Sequence, residues 1–131
     1  MKNLLYIAIV FVVLSACSEQ ATPEEEAAKA AQSYYTFLAD NQPEAFLDAK
    51  VGADSLPEIY RAQMRKVYEQ YISEVNDNHG GIREVGISEN VGRCDSTLGI
   101  TYAFLILSFN DSIQEEVAVP MVQQNGVWLM K

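Results

Sequence analysis

Residues 78–89, Asn-His-Gly-Gly-Ile-Arg-Glu-Val-Gly-Ile-Ser-Glu, mark a change in the spacing of apolar side chains. Before this stretch the apolar residues recur every three or four positions, which indicates amphipathic helices. After it they alternate with polar residues, which indicates strands. Gly80 and Gly81 lie at the change, where glycine can end a helix in the left-handed conformation. The chain is therefore predicted to have a helical half followed by a strand half.

Three helices are predicted in the first half. The first begins with a capping box from Thr22 to Glu25, with proline at the first helical position. A short second helix is predicted over residues 43–49. The third is predicted to run from a capping box formed by Ser55 and Glu58 to about residue 78, with its apolar stripe facing the core.

The second half predicts four strands, over residues 82–89, 98–109, 113–123 and 127–131. The second of these is apolar on both faces, which is typical of a central strand. Asn125-Gly126 predicts a tight hairpin before the last strand. Together the elements predict an α+β fold in which N-terminal helices pack on a four-stranded antiparallel sheet.

The first residues are predicted to lie outside the domain. Lys2 precedes an uncharged apolar run over residues 4–14, which matches a signal peptide and is too short to cross a bilayer. The following Leu14-Ser15-Ala16-Cys17 resembles the bacterial lipobox, which implies lipid attachment at Cys17. An ordinary secretory signal and an uncleaved anchor are the alternatives.

The lipobox interpretation divides the chain into a signal peptide over residues 1–16, a lipidated cysteine and tether over 17–22, and a domain over 23–131. It implies a lipid-anchored protein of the bacterial cell envelope, and Ser18 after the lipidated cysteine favours the outer membrane. A tether of this length spans about 20 Å when fully extended, so the domain is expected close to its membrane.

Charge and composition narrow the function classes. The formal net charge of −9 opposes binding to nucleic acid, because both surfaces would be negative. With one His and two Cys, one of them consumed by lipid attachment, the sequence offers no metal-binding cluster. No Gly-rich phosphate loop is present, and no cofactor is predicted.

Four short segments carry a resemblance to a known family. They are Tyr34-Tyr35 with Phe37-Leu38, residues 43–46 (Pro-Glu-Ala-Phe), Gly80-Gly81-Ile82, and Asn125-Gly126-Val127-Trp128. In this order they resemble small bacterial lipoproteins of unknown function with a nuclear-transport-factor-two-like domain, also called cystatin-like or lumazine-binding-like, over about residues 23–131. The chain departs from the family in stopping soon after its Trp.

The resemblance implies a cone in which a curved sheet wraps a helix and can leave a pocket. The candidate lining residues are mostly aromatic: Tyr34, Phe37, Tyr60, Met64, Tyr71, Tyr102 and Trp128. The alternative is that these side chains simply fill the core.

We therefore expect a non-enzymatic domain that binds a small molecule or an envelope protein. The alternatives are an isomerase- or dehydratase-like enzyme using a Tyr and a carboxylate, as in some relatives, and a purely structural envelope subunit. Glu115 and Glu116 are neighbours on one strand and should point to opposite faces, which makes them a poor catalytic pair.

The central strand also predicts a partner. Either Ala103, Leu105 and Leu107 or the alternating set Tyr102, Phe104 and Ile106 must face away from the helices. A second copy of the chain would cover this face, and relatives often dimerise through the sheet. The curvature of the cone and the N-terminal segment are the alternatives.

Overall fold

The computed structural model describes residues 21–89 and 98–131, together with the backbone of residues 94 and 95. Within these residues no helix is both long and apolar enough to cross a membrane. The described residues form three α-helices, a short 3₁₀ helix and five strands: α1 (Pro23–Ala39), α2 (Pro43–Asp48), the 3₁₀ helix Ala53–Ser55, α3 (Glu58–His79), β1 (Ile82–Ile87), β2 (Cys94–Asp95), β3 (Ile100–Phe109), β4 (Gln114–Gln124) and β5 (Val127–Met130). The predicted signal peptide and Cys17 lie outside the described residues.

The first helix begins as predicted. The Thr22 side chain accepts a hydrogen bond from the backbone N–H of Glu25 at 3.2 Å. Three glutamates occupy the first turn, where the helix dipole favours negative charge. Ala27 and Ala31 are completely buried, and their small side chains let the helix approach the sheet closely.

The start of α3 differs from the prediction. Ser55 belongs to the 3₁₀ helix, and the residue that caps α3 is Pro57, which makes no side-chain capping bond. The predicted capping box at Ser55 and Glu58 is therefore wrong, because an extended residue at Leu56 separates the two helices. At its other end α3 stops at Gly80, whose φ of 75° is left-handed as predicted.

The sheet is antiparallel, with the strand order β1-β3-β4-β5. The two-residue β2, which the sequence did not predict, pairs with the beginning of β3. Asn125 and Gly126 both have positive φ, as a tight hairpin turn requires, so this prediction is confirmed. The sheet curls into a half-barrel, and the predicted α+β cone is confirmed.

The two faces of β3 are distinct. Ala103, Leu105 and Leu107 have no exposed surface and pack with α1 in the core. The alternating side chains of Tyr102, Phe104 and Ile106 are half-buried on the opposite face. We call the first the inner face of the sheet and the second the outer face.

The long helix α3 is rotated relative to the predicted apolar stripe, which ran through Leu56, Tyr60, Met64, Val67, Tyr71 and Val75 with Ile59, Tyr68 and Ile72 at its sides. Tyr68, Ile72 and Val75 are its buried residues, whereas Tyr60 and Val67 are 57% and 55% exposed. The cause is that α3 packs mainly on α2, with only minor contacts to α1 and to the start of β1. The contact with α2 therefore sets its rotation.

Candidate functional site

Four polar side chains lie between the helices and the inner face of the sheet, where Tyr68, Tyr71 and Glu115 all act electrostatically on Tyr35. α1 contributes Tyr35, α3 contributes Tyr68 and Tyr71, and β4 contributes Glu115, which is paired with Leu107 and so points inward. We call these four residues the tyrosine site. Glu115 is exposed, Tyr35 and Tyr71 are half-buried, and Tyr68 is 9% exposed. From their exposure we call Glu115 the rim of the site, Tyr35 and Tyr71 its walls, and Tyr68 its floor.

A phenylalanine from α2 fixes two of the rings. Phe46 is 5% exposed and meets the ring of Tyr35 edge-on, with centroids 5.3 Å apart. It meets Tyr68 in the same way at 4.9 Å. Both rings stand almost perpendicular to Phe46, the geometry that aromatic quadrupoles favour. Phe46 is therefore the support on which these two tyrosines are held.

The site keeps its tyrosines protonated. Burial raises the pKa of Tyr35, Tyr68 and Tyr71 above the ordinary value of a phenol. The neighbouring phenols Tyr71 and Tyr68, and after them the negative charge of Glu115, raise the pKa of Tyr35 further, and Glu115 also raises the pKa of Tyr71. At neutral pH these side chains are hydrogen-bond donors and acceptors, not bases.

The floor of the site carries an orphaned group. The Tyr68 hydroxyl is buried and has no hydrogen-bond partner, a condition found at no other side-chain atom in the described part of the chain. Such a group costs about 1–3 kcal/mol of desolvation that no protein contact offsets. An unsatisfied polar atom in a native protein calls for an explanation in strain, in catalysis or in a bound molecule.

Several predicted lining residues form a separate group at β5. Tyr34 donates a hydrogen bond from its hydroxyl to the backbone oxygen of Trp128 at 2.5 Å, and its ring stacks on Phe37. The indole N–H of Trp128 donates to Glu26 at 3.3 Å. Tyr34, Phe37 and Trp128 are thus brought together, with their polar atoms paired, and they join α1 to β5.

The remaining predicted residues are scattered. Met64 packs against the core, and Tyr71 is the one predicted residue in the tyrosine site. Tyr60 projects into solvent because α3 is rotated by its contact with α2. Tyr102 is paired with Pro120 and lies on the outer face, so the expectation that it lines the interior is corrected by its position in the strand.

Two of the basic residues of α3, Arg61 and Arg65, are engaged with α2. Arg61 bonds to Glu44 and Asp48 at 2.6 and 2.5 Å and to the backbone oxygen of Ala53. Arg65 bonds to Glu44 at 3.2 Å. This ion cluster ties α2 to α3. In residues 21–89 and 98–131, no three side chains of the His, Cys, Asp and Glu types come together as a metal site.

Two surface depressions lie away from the tyrosine site. One of about 80 Å³ opens between the end of α1 and α3, against Leu38 and Ile72. Another, of about 420 Å³, is wide and open, between the loop after α2 and the β4–β5 hairpin. Neither includes Glu115 or any tyrosine of the site. We give more weight to the tyrosine site because it alone contains a buried polar group without a partner.

Comparisons with known proteins identify the fold. No protein-family model matches the sequence, and no curated protein matches it. A crystal structure from Campylobacter jejuni, provisionally described as an NTF2-like transpeptidase, superimposes with a TM-score of 0.61 at 10% sequence identity. The match covers 78% of this chain and 94% of that one. At this identity the likeness establishes a nuclear-transport-factor-two-like fold and nothing further.

Sequence reasoning missed Tyr35, Tyr68 and Glu115 as site residues. Tyr35 and Tyr68 each stand beside the predicted helix stripe, so their direction depended on the rotation of the helix. Glu115 was recognised as facing away from Glu116, and the pairing of Glu116 with Ile106 on the outer face confirms this. The alternation of β4 was the signal that placed Glu115 on the inner face.

Proposed function

We propose that this protein is a lipoprotein of the bacterial cell envelope whose cone domain binds a small ligand without transforming it. The nuclear-transport-factor-two-like fold supports a ligand-binding cone. The lipobox-like Leu14-Ser15-Ala16-Cys17 supports an anchor at Cys17, and Ser18 supports the outer membrane. The observation that carries the binding proposal is the unpartnered hydroxyl of Tyr68.

The ligand is proposed to supply the hydrogen-bond partner that the Tyr68 hydroxyl lacks. A buried hydroxyl without a partner destabilises the ligand-free protein, and a bound molecule that pairs with it recovers that loss. Neither of the two surface depressions includes Tyr68, so access to its hydroxyl is proposed to require the Tyr35 or Tyr71 ring to move. Binding is therefore expected to couple a small rearrangement of the walls to the satisfaction of Tyr68.

Binding is favoured over catalysis by the state of the polar groups. The three phenols have raised pKa values and remain neutral at physiological pH. Glu115 is exposed at the rim, where water has access to it. The alternative is an isomerase- or dehydratase-like enzyme, and the closeness of Tyr71 to the Glu115 charge is the observation that favours it.

The binding proposal is tested by what the protein retains on purification. The full-length chain is extracted from bacterial membranes in non-ionic detergent, and small molecules released on denaturation are identified by mass spectrometry. We expect wild type and Tyr34→Phe to retain one compound in common that Tyr68→Phe loses. Identical profiles for all three proteins contradict the proposal. Conversion of the compound by wild type, abolished in Glu115→Gln, supports the enzyme instead.

The anchor is tested separately. Mass spectrometry of the mature N-terminus is expected to show a peptide that begins at Cys17 and carries lipid. The protein should sediment with outer-membrane fractions, and Cys17→Ser should release it or leave the signal uncleaved. An unmodified Cys17, or cleavage at another residue, refutes the lipoprotein proposal without touching the binding site.

A second copy of the chain is the proposed partner of the outer face. The centre of the outer face is apolar, and its side chains come from β3 and β4. These side chains are half-buried or exposed: Tyr102, Phe104, Ile106, Ala118, Pro120 and Val122. The acidic residues Glu84 and Glu116 lie at one end of this patch, opposite Ser108 and Ile106. A two-fold axis through the middle of the patch and across the strands would keep the acidic ends of two copies apart.

Cross-linking tests this pairing. In a Cys94→Ala background, Ala118→Cys places a thiol in the middle of the outer face, opposite Phe104. Val119→Cys is the matched control, since Val119 is 3% exposed and faces the helices. We expect a disulfide-linked dimer from Ala118→Cys and none from Val119→Cys. Equal or absent cross-linking in the two variants excludes a homodimer through this face.

A further inference from the structure

The wider of the two surface depressions, about 420 Å³ in volume, lies between two walls that the backbone holds together. One wall is the segment from the end of α2 to the 3₁₀ helix, and the other is the β4–β5 hairpin. Val51 donates its N–H to the backbone oxygen of Met130 at 2.8 Å, and Met130 donates its N–H to the backbone oxygen of Ala49 at 2.9 Å. We call this cavity the hairpin depression. Its volume lies within the range of about 300–1,000 Å³ that is typical of small-ligand sites.

The first wall carries two opposite charges that do not meet. Lys50 and Asp54 both line the hairpin depression, on either side of the left-handed turn at Gly52. Ala53 donates its N–H to the backbone oxygen of Lys50 at 3.1 Å, which closes this turn. Among the ion pairs within residues 21–89 and 98–131, none includes Lys50 or Asp54. The wall therefore presents one ammonium group and one carboxylate to the same cavity.

The other lining groups add no unpaired charge. Asp48 also lines the depression, but its carboxylate bonds to Arg61 at 2.5 Å. The hairpin wall presents two carboxamides and two aliphatic side chains: Gln124, Asn125, Val127 and Leu129. The charges that a ligand can pair with are thus on one wall, and neutral polar and apolar groups are on the other.

We propose that the hairpin depression binds a zwitterion of the α-amino-acid type, whose ammonium group pairs with Asp54 and whose carboxylate pairs with Lys50. The rest of the ligand lies along the hairpin wall, where the carboxamides of Gln124 and Asn125 donate and accept hydrogen bonds. A simple anion gains from Lys50 but is repelled by Asp54, and a simple cation meets the reverse. This is a second site, because no residue of the tyrosine site lines the depression.

Three probes that differ at one charged group test the proposal. They are L-glutamine, N-acetyl-L-glutamine, which lacks the ammonium group, and L-glutaminamide, which lacks the carboxylate. Their affinities for the full-length protein in non-ionic detergent are measured by isothermal titration calorimetry. We expect glutamine to bind about tenfold more tightly than either derivative, because each derivative loses one charge-assisted pair. Binding of glutamine no tighter than that of a derivative, or no binding of glutamine at all, overturns the proposal.

Substitution of one charge at a time identifies the two pairs. Asp54→Asn should weaken glutamine binding about tenfold and leave N-acetylglutamine binding no weaker, whereas Lys50→Met should weaken glutamine equally and leave glutaminamide no weaker. Lys66→Met and Asp77→Asn are the matched controls, because these exposed residues of α3 do not line the depression. Losses in the controls equal to those at Asp54 and Lys50 overturn the assignment. Tyr68→Phe should leave glutamine binding unchanged, which separates this proposal from binding at the tyrosine site.

Discussion

Replacing Tyr68 by phenylalanine should stabilise the ligand-free protein. The substitution removes one oxygen and keeps the ring that packs edge-on against Phe46. In the native protein that oxygen is buried with no partner, whereas in the unfolded chain water satisfies it. A tyrosine-to-phenylalanine change in a core more often destabilises, so the sign of this prediction is informative.

The magnitude follows from the burial of the hydroxyl. An unsatisfied buried donor costs about 1–3 kcal/mol, and the small void left by the oxygen returns part of this. We expect the free energy of unfolding to rise by about 1 kcal/mol, which corresponds to an increase of about 4 °C in Tm for a domain of this size. Tyr34→Phe should have the opposite effect. Its hydroxyl donates a hydrogen bond to the backbone oxygen of Trp128 at 2.5 Å, and removing this bond should lower the free energy of unfolding by about 1 kcal/mol.

Urea unfolding followed by circular dichroism at 222 nm measures both variants against wild type. Circular dichroism is preferred to fluorescence because the single Trp, Trp128, takes part in the Tyr34 contact and would report it directly. The protein must be free of ligand, since a bound molecule would stabilise wild type selectively. If Tyr68→Phe is destabilised to the same extent as Tyr34→Phe, the hydroxyl has a partner in the native protein and the argument for the site fails.

Two further predictions concern the joint between α3 and the sheet. Gly81 has a φ of 100°, and a Cβ there would lie 2.9 Å from the side-chain oxygen of Asn76, whereas a Cβ at Gly52, with a φ of 74°, would meet no atom within 4 Å. The exposed Asn76 side chain can turn aside, so the larger cost at Gly81 comes from its φ, which lies farther from the left-handed region open to alanine than the φ of Gly52. In thermal unfolding Gly81→Ala should therefore cost about 2 kcal/mol and Gly52→Ala about 1 kcal/mol, and equal losses would contradict this conformational reasoning. His79 lies 2.6 Å from Asp111, and its hydrogen bond lowers the pKa of that carboxyl. A carboxyl whose pKa is lowered in the native protein stabilises the fold above the ordinary pKa of 3.8, and this effect disappears as the pH falls through the native pKa. The stability difference between wild type and Asp111→Asn should therefore be full at pH 5 and shrink below pH 4 in urea titrations. A difference independent of pH between 5 and 2 would argue against the pair.

Most of the element order follows from local patterns. The break at Gly80 and Gly81, the Thr22 cap and the Asn125-Gly126 hairpin each depend on conformational preferences of the residues themselves. The strands predicted over 98–109 and 113–123 differ from the observed β3 and β4 by one or two residues at their ends. The cap at Ser55 was mistaken because a short 3₁₀ helix ends there just before α3 begins, and local signals do not tell to which helix a polar residue belongs.

The candidate site was accessible from sequence only in part. Tyr71 was found because it belongs to the apolar stripe of α3. Tyr60, predicted on the stripe, is exposed and Tyr68, predicted beside it, is buried, because the rotation of α3 is set by Phe46 and by the ion cluster at Arg61. Such contacts join residues distant in the chain, so the periodicity of one helix does not contain them.

The sequence alone determined that this chain has a helical half followed by an antiparallel sheet, because apolar periodicity and glycine conformations are properties of neighbouring residues. It also supplied the motif that predicts an anchor at Cys17. Only the tertiary structure decided which side of α3 is buried, brought Tyr35, Tyr68 and Tyr71 together beside Glu115, and left the Tyr68 hydroxyl without a partner. Whether a polar atom is satisfied depends on what the rest of the chain places within hydrogen-bond distance of it, and that is settled when the elements pack.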